Sequence, residues 1–77
     1  MQIKSEDKHY LRQCGQKIVH ERERRGLSRE QLAEMADIKI AMLKQIEAGV
    51  TDFPFDYMFY LLKALDITPG EFFSDFD

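Results

Sequence analysis

The apolar residues of this chain fall in short blocks with helical spacing, and each block is bounded by residues that start or stop a helix. Leu11, Cys14 and Ile18 recur at intervals of three and four residues, which is the spacing of one helix face. No stretch alternates apolar and polar residues as a half-buried strand does. The sequence therefore predicts an all-α fold of about five helices.

Two segments have the pattern of a capping box, in which a Ser or Thr oxygen accepts from the amide three residues later and that residue's side chain reaches back. They run from Ser28 to Gln31 and from Thr68 to Glu71. Gly26 and Gly49 lie where helices are expected to end. These signals predict two short helices between about residues 28 and 48, joined by a tight turn.

At 77 residues the chain is predicted to form one domain over residues 8–77, preceded by a flexible N-terminus over residues 1–7. Cys14 is the only cysteine, so no disulfide forms within the chain. His9 and His20 have no second ligand at suitable spacing, and no motif indicates a metal, a cofactor or a small-molecule ligand. We therefore do not expect an enzyme.

No apolar run approaches the roughly 18 residues that a membrane span requires, so no membrane association is expected. The start, MQIKSEDK, is too polar for a signal peptide. Together with the single cysteine, these features favour a cytoplasmic location.

The net charge of −3 is unevenly distributed. Residues 1–50 hold ten basic and eight acidic side chains, whereas residues 51–77 hold one lysine and six acids. All six phenylalanines lie in the second part. The first part is therefore slightly basic, as a phosphate-binding surface would need, and the second is acidic and aromatic.

The stretch IVHERERRGLSREQLAEMADIKIAMLKQIEAG, continued by FDYMFYLLKALDITPGEFF, resembles the phage-repressor and Cro-like (XRE-type) helix-turn-helix domains of bacterial transcription regulators. The resemblance covers roughly residues 14–73. It implies an all-α, five-helix lambda-repressor-like domain with its helix-turn-helix at about residues 28–48. It also implies a sequence-specific regulator of transcription, most typically a repressor, that binds double-stranded DNA.

The resemblance further implies that the recognition helix, about residues 40–48, enters the major groove. The positions that match the family's DNA contacts are Ser28, Arg29, Lys39, Ile40, Ala41, Lys44, Gln45 and Thr51. Among them, Gln45 suits a bidentate pair with adenine. Ser28 and Arg29 begin a helix, where free amides attract a backbone phosphate.

A structural ion pair is also implied, between Arg22 in the first helix and Glu47 at the end of the recognition helix. Both residues lie at positions where the helix pattern otherwise places apolar side chains. The pair would therefore set the angle of the recognition helix.

The sequence departs from the family pattern at several positions. Asp37 stands where the turn usually has glycine, and Lys39 stands where the recognition helix usually has a Ser or Thr cap. Ile40 and Ala41 replace polar residues, and the loop after Gly49 is not basic. These changes leave an alternative open, a protein-interaction module of the antitoxin or anti-regulator type with weak or no DNA binding.

The aromatic residues of the C-terminal part exceed what a core of this size needs. We expect the surplus to form a homodimer interface, which consists of Phe53, Tyr57, Phe59, Tyr60 and Phe76. Such a dimer would hold two recognition helices on a palindromic site. The alternative is that these side chains cover the core within one chain.

Overall fold

A computed structural model describes residues 2–3, 8–49 and 53–74 of the chain. The helices are α1 (Lys8–Arg24), α2 (Arg29–Ala36), α3 (Ile40–Ala48), α4 (Phe55–Leu65) and α5 (Pro69–Phe73). Two very short strands, β1 (Gln2–Ile3) and β2 (Phe53–Pro54), complete the described elements. The predicted five-helix fold is confirmed.

Two very short strands accompany the helices, and the first of them lies within residues 1–7, the segment predicted to be a flexible N-terminus. β1 pairs antiparallel with β2, with Gln2 opposite Pro54 and Ile3 opposite Phe53. Strands of two residues pair through backbone hydrogen bonds. They are too short to show the alternation of apolar and polar side chains by which a strand is predicted. The rest of the predicted flexible segment lies outside the described residues.

The helix ends follow the local signals closely. Ser28 Oγ accepts from the Gln31 amide at 3.0 Å, and the Ser28 amide donates to the Gln31 side chain at 2.8 Å. The same reciprocal pair joins Thr68 and Glu71. Asp37, which replaces the usual glycine, takes the left-handed conformation with φ of 57° and ends α2. The starts of α2 and α5 and the end of α2 are thus set by contacts made within a few residues.

All five helices contribute to one core. Its most deeply buried side chains are Leu11, Cys14, Ile18, Leu32, Leu43, Ile46, Met58, Leu61, Leu62, Leu65 and Phe72. The apolar spacing of α2 would place Met35 on the buried face with Leu32 and Ala36, but its side chain is 53% exposed. Burial raises the pKa of the Cys14 thiol to about 11, so this thiol stays protonated at neutral pH.

No helix in the described part of the chain is both long and apolar enough to cross a bilayer.

Helices α1 and α3 approach each other until their backbones touch. A Cβ atom at Gly15 of α1 would lie 2.5 Å from the carbonyl oxygen of Glu47, at the end of α3. A Cβ atom at Gly49, just after α3, would lie 2.8 Å from the Cα atom of Arg12. Since neither backbone can give way easily, these two glycines fix the position of α3 on the core.

We expect Gly15→Ala to lower the free energy of unfolding by about 1–3 kcal/mol, because the added methyl group meets backbone atoms. Urea unfolding of the purified protein measures this. Gly70→Ala is the matched control, since the nearest atom to a Cβ there is Thr68 Oγ1 at 3.9 Å. The control should be neutral or stabilising by up to about 1 kcal/mol. Equal effects of the two changes would contradict the close approach.

Candidate nucleic-acid interface

Helices α2 and α3 form a helix-turn-helix whose second helix leaves one face uncovered. Leu43, Ile46 and Glu47 lie on the buried face of α3. On the opposite face, Ala41, Lys44 and Gln45 are exposed, Ile40 is half-buried, and Lys39 is exposed at the N-cap. The predicted DNA-contact residues of this helix therefore share one surface.

The polar groups on this surface are available to a ligand. The side chains of Lys39, Lys44 and Gln45 make no hydrogen bond or ion pair with any other residue that the structure describes. A free amide and two free ammonium groups can read base edges or bind phosphate. The Lys39 side chain does not cap α3, because an ammonium group has no acceptor for the backbone amides at the helix start.

The N-terminus of α2, the first helix of the helix-turn-helix, offers backbone hydrogen-bond donors. The Gln31 amide is satisfied by Ser28, and the Leu32 amide by the Ser28 carbonyl at 3.0 Å. The amides of Arg29 and Glu30 precede the first intrahelical hydrogen bond of α2. They are the orphan donors that favour an anion at a helix start.

A buried ion pair joins α1 to the end of α3. Arg22 Nε donates to Glu47 Oε2 at 2.8 Å, and a terminal nitrogen of Arg22 lies 3.4 Å from Oε1. The other terminal nitrogen donates to the Leu27 carbonyl at 2.9 Å. The side chain of Glu47 is only 2% exposed, so its charge depends on these partners.

Arg29 joins the same carboxylate, which the sequence analysis did not predict. Its Nε donates to Glu47 Oε1 at 2.7 Å, and its side chain is 46% exposed. The two residues are 18 positions apart, so their contact depends on the angle between α2 and α3. Four arginines lie between residues 22 and 29, and no pattern in the sequence indicates which of them reaches Glu47.

The charged run at residues 21–25 is solvated only in part. Glu23 and Arg24 are exposed, whereas Glu21 and Arg22 are buried. Glu21 accepts from Arg25 at 2.6 Å and from Arg24 at 2.7 Å. The hydrogen bonds from Arg25 and Arg24 lower the pKa of Glu21 to about 2. Both arginines are thus engaged at the end of α1.

The predicted dimer residues fall into two groups. Phe59 and Tyr60 are 45% and 48% exposed, whereas Tyr57 is half-buried against the core, with its ring centroid 6.1 Å from that of Tyr60. The side chain of Phe53, the whole of Phe76 and the predicted phosphate contact Thr51 lie outside the described part of the chain. A groove of about 640 Å³ adjoins Tyr60 and is lined by Met35, Ala36, Asp37, Tyr60, Lys63 and Ala64.

Comparison with known proteins identifies the class. A helix-turn-helix family model matches residues 20–72, which is more than half of the chain. The chain therefore belongs to the XRE-type helix-turn-helix family, a family of DNA-binding transcription regulators, and the predicted resemblance is confirmed. This family is one of regulatory DNA-binding proteins.

One solved structure is similar over most of its length. It is the crystal structure of the restriction-modification controller protein C.AhdI from Aeromonas hydrophila, with 31% sequence identity and a TM-score of 0.79. The match covers 84% of this chain and 98% of that one. No curated protein matches the sequence.

We expect Arg22→Ala to lower the free energy of unfolding by about 3–5 kcal/mol, since it removes the buried partner of Glu47. Urea unfolding at neutral pH measures this. Arg12→Ala, an exposed arginine on the same helix, is the control and should change stability by less than about 0.5 kcal/mol. Similar stability of the two variants would show that the pair does not support the fold.

The Glu21 contacts predict a pH dependence. Because its pKa is lowered in the folded protein, the stabilisation is complete above the ordinary carboxyl pKa and is lost as the pH falls toward about 2. Glu21→Gln should therefore be less stable than the parent at pH 6, and the difference should shrink between about pH 4.5 and pH 2.

Thermal unfolding across this pH range measures the effect. Glu23→Gln removes a charge from an exposed position two residues away and controls for the change in net charge. A gap between Glu21→Gln and the parent that stays constant down to pH 2 would disprove the role of the carboxylate charge.

Proposed function

We propose that this protein is a sequence-specific transcription regulator that binds double-stranded DNA with α3 in the major groove. The observation that carries the proposal is the uncovered face of α3, where Lys44 and Gln45 are exposed and have no partner among the described residues. The opposite face is held rigidly by Gly15 and by the Arg22–Glu47 pair. A free surface on a fixed helix is what direct readout of bases requires.

Each exposed group suits a particular contact. The amide of Gln45 pairs with adenine through two hydrogen bonds, and the ammonium groups of Lys39 and Lys44 bind guanine or phosphate. The side chains of Ile40 and Ala41 pack on thymine methyl groups.

Phosphate contacts would orient the domain on the duplex. The start of α2 offers the amides that follow Ser28, and the hydroxyl of Ser28 can still donate while its oxygen accepts within the capping box. None of the exposed residues of α3 is acidic, since its one carboxylate, Glu47, is buried. The net negative charge of the chain is therefore compatible with DNA binding.

The similarity to a restriction-modification controller protein supports gene regulation as the biological role. Repression follows wherever the bound operator overlaps a promoter.

We further propose a homodimer through the C-terminal helices. Two large aromatic side chains, Phe59 and Tyr60, expose nearly half of their surface, and the adjoining groove offers a concave partner surface. A two-fold arrangement would place two copies of α3 about 34 Å apart, on successive turns of the same DNA face.

We expect binding to DNA to weaken steeply as salt rises, with a slope of about −0.9 per phosphate contact in a plot of log affinity against log salt. Selection from a pool of random duplexes, followed by titration of the selected duplex, measures both the site and the slope. Absence of binding to any duplex at low salt would contradict the proposal and favour the protein-interaction module.

Gln45→Ala should relax the preference at one base pair, at a cost of about 1–3 kcal/mol for the preferred base. Repeating the selection with the variant measures this. Gln16→Ala makes the same chemical change at an exposed position on α1 and should select the parent site. A uniform loss of affinity over all sequences would show that Gln45 does not read a base.

Tyr60→Asp should convert the dimer to a monomer, because it places a charge in an apolar interface. Light scattering at tens of micromolar measures the mass, and His20→Asp at an exposed α1 position is the control. A parent protein that is monomeric at this concentration would contradict the dimer.

A further inference from the structure

The carboxylate of Glu47 is shared by two arginines that differ in exposure. Arg22 approaches from α1 and its side chain is 10% exposed, whereas Arg29 approaches from α2 and its side chain is 46% exposed. The three charges sum to +1. Since Arg22 and Glu47 are enclosed, the surplus positive charge resides at the surface, on Arg29.

The geometry of Arg29 leaves most of its donors unused. Its Nε donates to Glu47 Oε1 at 2.7 Å. A guanidinium carries five N–H donors, so four remain on its terminal nitrogens. None of these four makes a hydrogen bond to another residue in the described ranges. The orphan amides at the start of α2 belong to Arg29 itself and to Glu30.

We propose that Arg29 is a positioning residue that couples docking on the DNA backbone to the orientation of α3. Its Nε holds Glu47 at the C-terminal end of α3, while its terminal N–H groups bind a backbone phosphate. One planar group thus serves both partners, which a lysine ammonium cannot do with the same fixed geometry. This inference rests on the proposed DNA binding and deepens it.

The coupling has a consequence that separates it from an ordinary phosphate contact. A side chain that only binds phosphate supports all DNA sequences alike. Arg29 also constrains the helix that carries Gln45 and Lys44, so its loss changes the discrimination between bases that it never touches. Arg22 keeps Glu47 paired when Arg29 is replaced, so the fold survives the change.

The test compares Arg29→Lys with Arg29→Ala. Affinity for the duplex selected by the parent protein and for a random duplex is titrated over a range of salt concentrations. Arg29→Lys should keep the salt slope, because it keeps a cation beside the phosphate, yet the ratio of specific to random affinity should fall about fivefold. Arg29→Ala should show the same fall in this ratio. In addition, its slope of log affinity against log salt should be shallower by about 0.9.

Arg12→Ala removes an exposed arginine that lies outside the cluster and should leave the ratio unchanged. Thermal unfolding of each variant verifies that it is folded. An unchanged ratio in Arg29→Lys overturns the coupling, even if Arg29→Ala shows a phosphate contact. An unchanged salt slope in Arg29→Ala would show that Arg29 supports α3 without binding a phosphate. This result also overturns the proposed coupling. Failure of the proposed function is distinguishable, since the parent protein itself would then bind no duplex.

Discussion

The placement of α3 depends on one carboxylate. Glu47 lies at the end of this helix, almost fully removed from water, and its charge is tolerable only because Arg22 and Arg29 surround it. Through it, the end of α3 is joined to α1 on one side and to α2 on the other. An apolar contact would stabilise the same approach without fixing an angle, because it has no preferred direction. A hydrogen-bonded ion pair has one.

A close backbone contact between α1 and α3 also fixes the position of α3, in addition to the ion pair. Gly15 and Gly49 let α1 touch the end of α3, so the same part of α3 that carries Glu47 is fixed both by sterics and by charge. The exposed face of α3 then needs to contribute nothing to folding. The exposed residues Ala41, Lys44 and Gln45 are therefore not needed for the core, whereas the half-buried Ile40 packs against it.

Local features of the fold were predictable from the sequence itself, whereas a non-local contact such as the Arg22–Glu47 pair was predictable only through the family resemblance. The capping boxes at Ser28 and Thr68 act within four residues, so the sequence contains all the information they require. The contact between Arg29 and Glu47 depends on how α2 crosses α3, which no short pattern encodes. Met35 shows the same limit, because helical register predicts which side a residue faces but not how far a neighbouring helix extends over it.

The small β pairing bears on the order in which the chain assembles. It joins Gln2 to Pro54, about fifty residues apart, so closing it early would cost several times the loop entropy of a helical turn for very few hydrogen bonds. We therefore expect it to form only after α1, α2 and α3 have packed together. Because this pairing consists of two residues on each strand, it should also open before the helical core does. Local unfolding of the domain would then begin at the β1–β2 pair.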